Sequence, residues 1–265
     1  MPLSPLAAGY DQFIVDLDGC VWIGDEPTPG AVEALQAVRE ADKRVAFATN
    51  DPRSATEDYV TRLWKIGLKA SVRDVVTVGG AVQHLLAETR SGRTAFVIGT
   101  APLRRHVADA GLKLLNGTDL ASRADVVVVA GTEELAYADL RDAALAIRRG
   151  ADFIATGRDP TYPQPDGPWP GTGAIVAAVE YTTGRTAEIV GKPQPQLFRT
   201  ALDRLGDGRT LVVGDRVDTD LAAAAAARLD AALVLTGEAT RADADGIDPK
   251  PVAIAETLGS LLVKG

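Results

Sequence analysis

Short runs that are apolar at every position alternate along this chain with longer stretches whose apolar residues recur at helical spacing. Phe13-Ile14-Val15 is the first run, and a predicted helix from about Pro29 to Ala41 follows it. Val45–Ala48 predicts a strand and Ala55–Ile66 a helix. Phe96–Ile98, Val126–Val129 and Phe153–Ile154 predict three more strands, with helices near Ala81–Glu88, Leu103–Ala110 and Tyr137–Arg148. Gly173–Thr183 then reads as helix, Glu188–Val190 as strand, Gln194–Leu205 as helix, Leu211–Val213 as strand and Thr219–Ala227 as helix. Ala232–Leu235 and Val252–Ile254 are candidates to close the sheet. Strands without polar alternation must be covered on both faces. Each is followed by a helix, so the pattern predicts an α/β protein with a doubly wound parallel sheet.

No repeat or low-complexity linker interrupts this order. The Pro/Gly-rich stretch Asp159–Gly173 reads as one long loop, either functional or a plain surface connection.

Composition narrows the function classes. The chain has 265 residues, 46% apolar and 24% charged, enough to bury a sizeable core. Its formal charge of −8 gives nothing to attract a nucleic-acid backbone. No basic amphipathic stretch suits a membrane surface. The alanine-rich run Leu221–Leu235 is broken by Arg228 and Asp230, so it is not expected to span a bilayer. Met1–Tyr10 has no basic residue and no long apolar run, and does not read as a signal peptide. Cys20 is the single cysteine, so no internal disulfide forms, and a reducing, cytoplasmic setting is expected.

The densest chemistry lies at the predicted strand ends. Asp16-Leu17-Asp18-Gly19 directly follows the first strand. Ligands of parallel sheets bind at the carboxyl ends of strands. Two carboxylates one residue apart repel each other, and a divalent cation would relieve that; a solvated turn is the other reading. Val213-Gly214-Asp215, with Asp218 and Asp220 after it, repeats the arrangement. Several acidic groups at strand ends suit a hard cation, and magnesium fits because it takes few protein carboxylates. Helix capping by Asp218 or Asp220 is compatible with that role. Thr49-Asn50-Asp51-Pro52 ends the Val45–Ala48 strand and offers a hydroxyl, an amide and backbone N–H groups to a phosphate, or a simple helix cap. Gly191-Lys192-Pro193 ends the Glu188–Val190 strand. Lysine is scarce, with seven against twenty-one arginines. A lysine here could pair with phosphate or with a carboxylate.

The order Asp-x-Asp-Gly, Thr-Asn, Gly-Lys-Pro, Gly-Asp-x-x-x-x-Asp resembles the four-motif pattern of the haloacid dehalogenase superfamily. Asp18-Gly19-Cys20-Val21-Trp22 running into Pro29-Gly30-Ala31, and Pro170-Gly171-Thr172-Gly173-Ala174-Ile175-Val176, resemble its class IIA, the NagD-like and 4-nitrophenylphosphatase-like enzymes. The resemblance runs from about Tyr10 to Gly237.

It implies a Rossmann-like core of residues 1–79 and 186–265, with an inserted smaller α/β cap domain at 80–185. It implies a magnesium-dependent phosphatase acting on small phosphorylated metabolites. Asp16 would be the nucleophile and form an aspartyl phosphate, and Asp18 the general acid and base. Thr49, Asn50 and Asp51 would serve the phosphoryl group, with Lys192 between phosphate and Asp16. Magnesium would sit among Asp16, Asp18 through its carbonyl, and Asp215, with Asp220 at or behind its waters. In the loop Gly157–Trp169, Arg158 offers charge to the leaving group and Tyr162 and Trp169 offer stacking surface. The family also allows a homodimer. Asp51 replaces a frequent asparagine, and Gly157-Arg158 replaces a frequent Asn-Pro ahead of Asp159. His84 and His106 match no motif and read as ordinary helix residues. A dehalogenase would not need Asp18, a dinucleotide oxidoreductase would need Gly-x-Gly-x-x-Gly, and a non-catalytic relative would have lost one of Asp16, Asp18, Lys192 or Asp215.

Overall fold

The computed structural model describes residues 1–164, 167–244 and 246–264. The chain divides into two compact units, each with its own sheet. One comprises Met1–Thr49, Thr56–Val76 and Lys192–Gly265, and the other Asn50–Ala55 and Thr77–Gly191.

The first unit is built on a six-stranded sheet. Its order across the sheet is Ala253–Ala255, Asp230–Val234, Thr210–Gly214, Gln12–Asp16, Arg44–Thr49 and Val75–Thr77. Gln12–Asp16 is buried at every position, as its unbroken apolar run predicts. One face carries Phe13, Val15, Val45, Phe47, Leu211 and Val213 into a core shared with Leu35, Val38, Tyr59 and Leu63. Helix Gln196–Leu205 packs on the strands Arg44–Thr49 and Gln12–Asp16. After Gln12–Asp16 the chain builds outward through Arg44–Thr49. It later returns through Thr210–Gly214 on the opposite side of the first strand. The order therefore reverses between Gln12–Asp16 and Thr210–Gly214, the crevice where parallel sheets hold ligands.

The second unit has a five-stranded sheet in the order Glu188–Ile189, Asp152–Ala155, Val126–Val129, Thr94–Ile98 and Lys113–Leu114. All of these pairings are parallel. Its core joins Phe96, Ile98, Val127, Val129 and Phe153 to Ala143, Ile147, Ile175 and Val176 of the helices Tyr137–Arg148 and Thr172–Thr183.

The second unit begins at Thr77, ahead of the expected 80, runs to Gly191, past the expected 185, and also takes in Asn50–Ala55. Glu188 and Ile189 pair with Ile154 and Ala155, which keeps the chain in the second sheet up to Gly191. The short run Glu188-Ile189-Val190 gives no sign of which sheet it joins, so the sequence alone assigned it to the core. Asp159–Gly173 is also not one structureless loop. Thr161–Gln164 and Gly167–Pro170 form an antiparallel hairpin. Its three prolines, at positions 163, 168 and 170, hid that strand pair.

Candidate active site

Asp16 ends its strand, and Asp215 directly follows Thr210–Gly214. The two strands run parallel with Val15 opposite Val213, so both carboxylates emerge at the same end of the central pair. Both are buried, at 8% and 3% exposure. Gly19 turns the chain back over them at φ +85°, and a Cβ there would collide with the Asp215 carboxylate. A Cβ at Gly237 would do the same from the other side. Thr236 Oγ1 donates to the Gly19 carbonyl at 2.5 Å, tying the two glycine loops together.

Lys192 lies between two carboxylates. Its ammonium donates to Asp16 Oδ1 at 2.5 Å and to Asp220 Oδ1 at 2.7 Å. Lys192 and Asp220 are 5% and 1% exposed. Burial works against the ammonium, but Asp16 and Asp220 outweigh it and raise its pKa, so it stays charged. Burial pushes Asp16 well up; Lys192 opposes this, while Asp220 and Asp215 add to it. Burial, then the charge of Asp220, raises Asp215 to about 6 against the N–H of Glu238.

This set of donors suits a divalent cation. Three buried carboxylates face one ammonium, so negative charge is left uncompensated. Asp215 Oδ2 accepts from Glu238 N at 2.9 Å, whereas Oδ1 is buried with no hydrogen-bond partner among the described residues. Asp16, Cys20 and Asp215 bring ligand atoms within 4.8 Å of one another. Cys20 is the unsuited member. Burial, reinforced by Asp16 and Asp215, pushes its thiol well up, and Sγ faces the Val213 carbonyl at 3.9 Å. A neutral thiol is a poor ligand for magnesium, whereas two hard carboxylates suit it.

Asp220 was expected at or near the metal. Both of its oxygens are already engaged, Oδ1 by Lys192 and Oδ2 by the N–H of Arg216 at 3.2 Å. It holds the lysine from behind. It sits in a π-helical turn, Val217–Leu221, which supplies that inward aim. Asp218 on the same turn pairs outward with Arg216.

Asp18 is exposed, and its Oδ1 accepts from the indole N–H of Trp22 at 2.8 Å. Thr49 is the last residue of its strand, 2% exposed, one position past the partner of Asp16. Asn50 and Asp51 follow it in the chain and belong to the second unit. The Asp51 carboxylate is held by Arg53, whose Nε donates to Oδ1 at 2.7 Å and Nη2 to Oδ2 at 3.2 Å. A paired carboxylate has nothing to donate to phosphate, so Asp51 can serve only through its backbone.

Arg158 is also paired. Its two terminal nitrogens grip Glu180, Nη1 donating to Oε2 at 3.0 Å and Nη2 to Oε1 at 2.5 Å. Glu180 also accepts the Ala187 N–H at 2.8 Å. In this arrangement the arginine straps two parts of its own unit. Trp169 is 38% exposed, and the Tyr162 side chain lies outside the described ones. His84 and His106 sit on helices, facing Glu88 and Gln83. Sequence reasoning missed the roles of Cys20, Trp22 and Thr236. Only the spacing of Trp22, four residues after Asp18, could have signalled contact.

A family model for haloacid dehalogenase-like hydrolases matches residues 13–113, and a second, HAD-hydrolase-like model matches residues 189–261. A D-glycerol 3-phosphate phosphatase of Mycobacterium tuberculosis is 39% identical over 263 residues, spanning 98% of this chain and 73% of that one. The crystal structure of a glycerol phosphate phosphatase from the same organism, in complex with magnesium, superposes with a TM-score of 0.90 at 39% identity, covering 98% and 78% of the two chains. NagD from Escherichia coli K-12 superposes at 0.87 with 28% identity, covering 96% and 99%. The chain belongs to the haloacid dehalogenase-like hydrolases, in the NagD-like branch. It is a phosphatase with magnesium as its cofactor. No helix among the described residues is long and apolar enough to cross a membrane.

Proposed function

We propose that this phosphatase hydrolyses a small phosphomonoester by two displacements at Asp16, and that its substrate is a short polyol phosphate of the glycerol phosphate kind. The observation that carries the chemistry is the buried contact of Asp16 with Lys192 beside the unpartnered Asp215 Oδ1. The likeness to the glycerol phosphate phosphatase supports the substrate class.

In this reading Asp16 Oδ2 attacks phosphorus, since Oδ1 is engaged by Lys192. Asp18 gives its proton to the departing alcohol oxygen and then takes one from the attacking water. Lys192 balances charge on the transferring group. Thr49, the Asn50 amide and the Asp51 backbone hold phosphoryl oxygens. Asp16, Asp215 and the Asp18 carbonyl would hold magnesium, which when bound offsets negative charge on the phosphoryl oxygens. Asp220 positions Lys192.

A net charge of −8 argues against nucleic acid as a partner, and one buried cysteine supports a cytoplasmic setting. Exposed Leu135, Tyr137 and Tyr181 of the second unit offer apolar surface for a homodimer, which sedimentation would detect. The defining experiment is Asp16→Asn, assayed on a panel of phosphorylated polyols, sugars and nucleotides with added magnesium. The wild type should prefer the short polyol phosphates and the variant should lose nearly all turnover while keeping its fold. Substantial turnover by the variant, or a preference for nucleotides, would contradict the respective half of the proposal.

A further inference from the structure

The hairpin after the nucleophile is closed on itself. Leu17 O accepts from Val21 N at 2.8 Å and from Trp22 N at 3.2 Å, and Gly19 N donates to Trp22 O at 2.8 Å. This brings Trp22, at the start of strand Trp22–Ile23, alongside Asp18. The ring is fully buried in the core of the first unit. Its Nε1 proton has one acceptor, Asp18 Oδ1, at 2.8 Å. Arg62, from helix Thr56–Lys65, lays its guanidinium over the indole at 4.0 Å from the ring centre. The Arg62 Nε is buried with no hydrogen-bond partner among the described residues, and its Nη2 lies 3.9 Å from the fully exposed carboxylate of Asp25. A buried guanidinium nitrogen without an acceptor is costly unless the ring face receives the cation. Arg62 therefore serves the indole, and the indole serves Asp18.

We propose that Trp22 is a positioning residue for the leaving-group proton, clamped in turn by Arg62. The inference rests on the reading of Asp18 as the general acid and base. Asp18 is exposed, and a free aspartate there would turn about its side-chain torsions. The indole N–H fixes one carboxyl oxygen, and that oxygen, already accepting, is not the one that carries the acidic proton. Oδ2 carries it. As the bond from phosphorus to the leaving oxygen breaks, the Oδ2 proton passes to that oxygen, and the N–H remains to hold the carboxylate that forms. In the second displacement, water forms its bond to phosphorus while its proton goes to Oδ2, and the bond from phosphorus to Asp16 breaks. One fixed oxygen serves both steps, so the same atom gives and regains the proton. A merely structural tryptophan would fill the core equally well without its N–H.

The test compares Trp22→Phe, Arg62→Met and Asp18→Asn on an alkyl phosphate (glycerol 3-phosphate) and on 4-nitrophenyl phosphate, whose leaving group needs no proton. General acid help is worth roughly 10²–10⁴-fold, so loss of its positioning should take a measurable part of that. Trp22→Phe should lower kcat/KM, which reads only the displacement that expels the leaving group, at least about tenfold more on the alkyl ester than on the nitrophenyl ester, whereas kcat also contains the second displacement common to both. Arg62→Met should shift the same ratio in the same direction by less. Thermal unfolding separates this from global damage, which would lower both rates together. Equal losses on the two esters in a folded Trp22→Phe protein would overturn the proposal. If Trp22→Phe does not fold, Arg62→Met decides by the same ratio. Asp18→Asn separates the two levels. If it splits the substrates and Trp22→Phe does not, only the positioning role falls. If it does not split them, the assignment of Asp18 falls and takes the positioning role with it.

Discussion

Lys192 is gripped from behind by Asp220 at 2.7 Å, almost as closely as it reaches forward to Asp16 at 2.5 Å. All three are buried, so none can be removed without leaving charge stranded in a low-dielectric pocket. Lys192→Met keeps the length of the side chain and removes only the ammonium. It should destabilise the metal-free protein by about 3–5 kcal/mol, the usual cost of breaking a buried pair. It should also cost about 10²–10³ in kcat, the range for losing one preorganised donor. Magnesium should recover part of the stability and little of the rate. Urea unfolding with and without magnesium reads the first, and steady-state kinetics the second. An unchanged unfolding midpoint would mean that the trio does not carry the burial argued for it.

The metal prediction turns on Asp215, whose Oδ1 has no hydrogen-bond partner among the described residues. EDTA should abolish activity and magnesium restore it, while calcium, with its larger and looser shell, should substitute poorly. Binding to the folded state alone stabilises by about 2.7 kcal/mol at a hundredfold excess over Kd. Asp215→Ala should abolish this magnesium-induced rise in Tm while leaving a folded protein. A full rise in the variant would move the metal elsewhere.

Gly19 carries a sharper steric constraint. It adopts φ +85° and faces the Asp215 carboxylate across a gap with no room for a methyl group. Gly19→Ala should cost about 1–3 kcal/mol in backbone strain alone. It should also weaken magnesium binding, because the carboxylate must give way. Gly24 is the control: its φ is +55° and a Cβ there meets nothing within 4 Å. Gly24→Ala should show strain without any change in the magnesium titration. If both variants bind magnesium like the wild type, Gly19 does not shape the site.

The order of strand-end motifs was legible because each strand is a short apolar run followed at once by polar residues. Asp16, Thr49 and Asp215 follow from that pattern directly, and the structure brings their strands side by side. What the sequence could not give was the far side of each group. Asp220 has the same spacing whether it faces a metal or a lysine, and its contact with Lys192 comes from the π-helical turn that carries it. Arg158 and Asp51 looked available because their partners, Glu180 and Arg53, gain meaning only when the helix and turn that carry them are in place. The boundary near Gly191 was misplaced for a related reason. Glu188–Ile189 is a two-residue strand whose sheet is chosen by a distant neighbour, Asp152–Ala155, and not by its own residues.

The pair of Arg158 and Glu180 gives the last prediction, and it concerns stability at low pH. Hydrogen bonding from Arg158, ahead of the opposing effect of burial, holds the Glu180 carboxyl below the usual range. Its folded pKa is thus lower than its unfolded one. The stabilisation is fully present above the unfolded value of about 4.3 and is lost as pH falls through the folded value. Arg158 is 46% exposed, so solvent screening limits the pair to less than about 1 kcal/mol. Arg158→Ala should therefore be slightly less stable than the wild type at neutral pH, and the two unfolding curves should converge as pH drops below about 4. The same variant reports on substrate reading. With its guanidinium committed to Glu180, its removal should change kcat/KM by a similar small factor on every ester in the panel. A marked change in the ranking of natural phosphates, with 4-nitrophenyl phosphate unaffected, would mean that Arg158 leaves Glu180 to meet the leaving group, and the strap would then be a resting position.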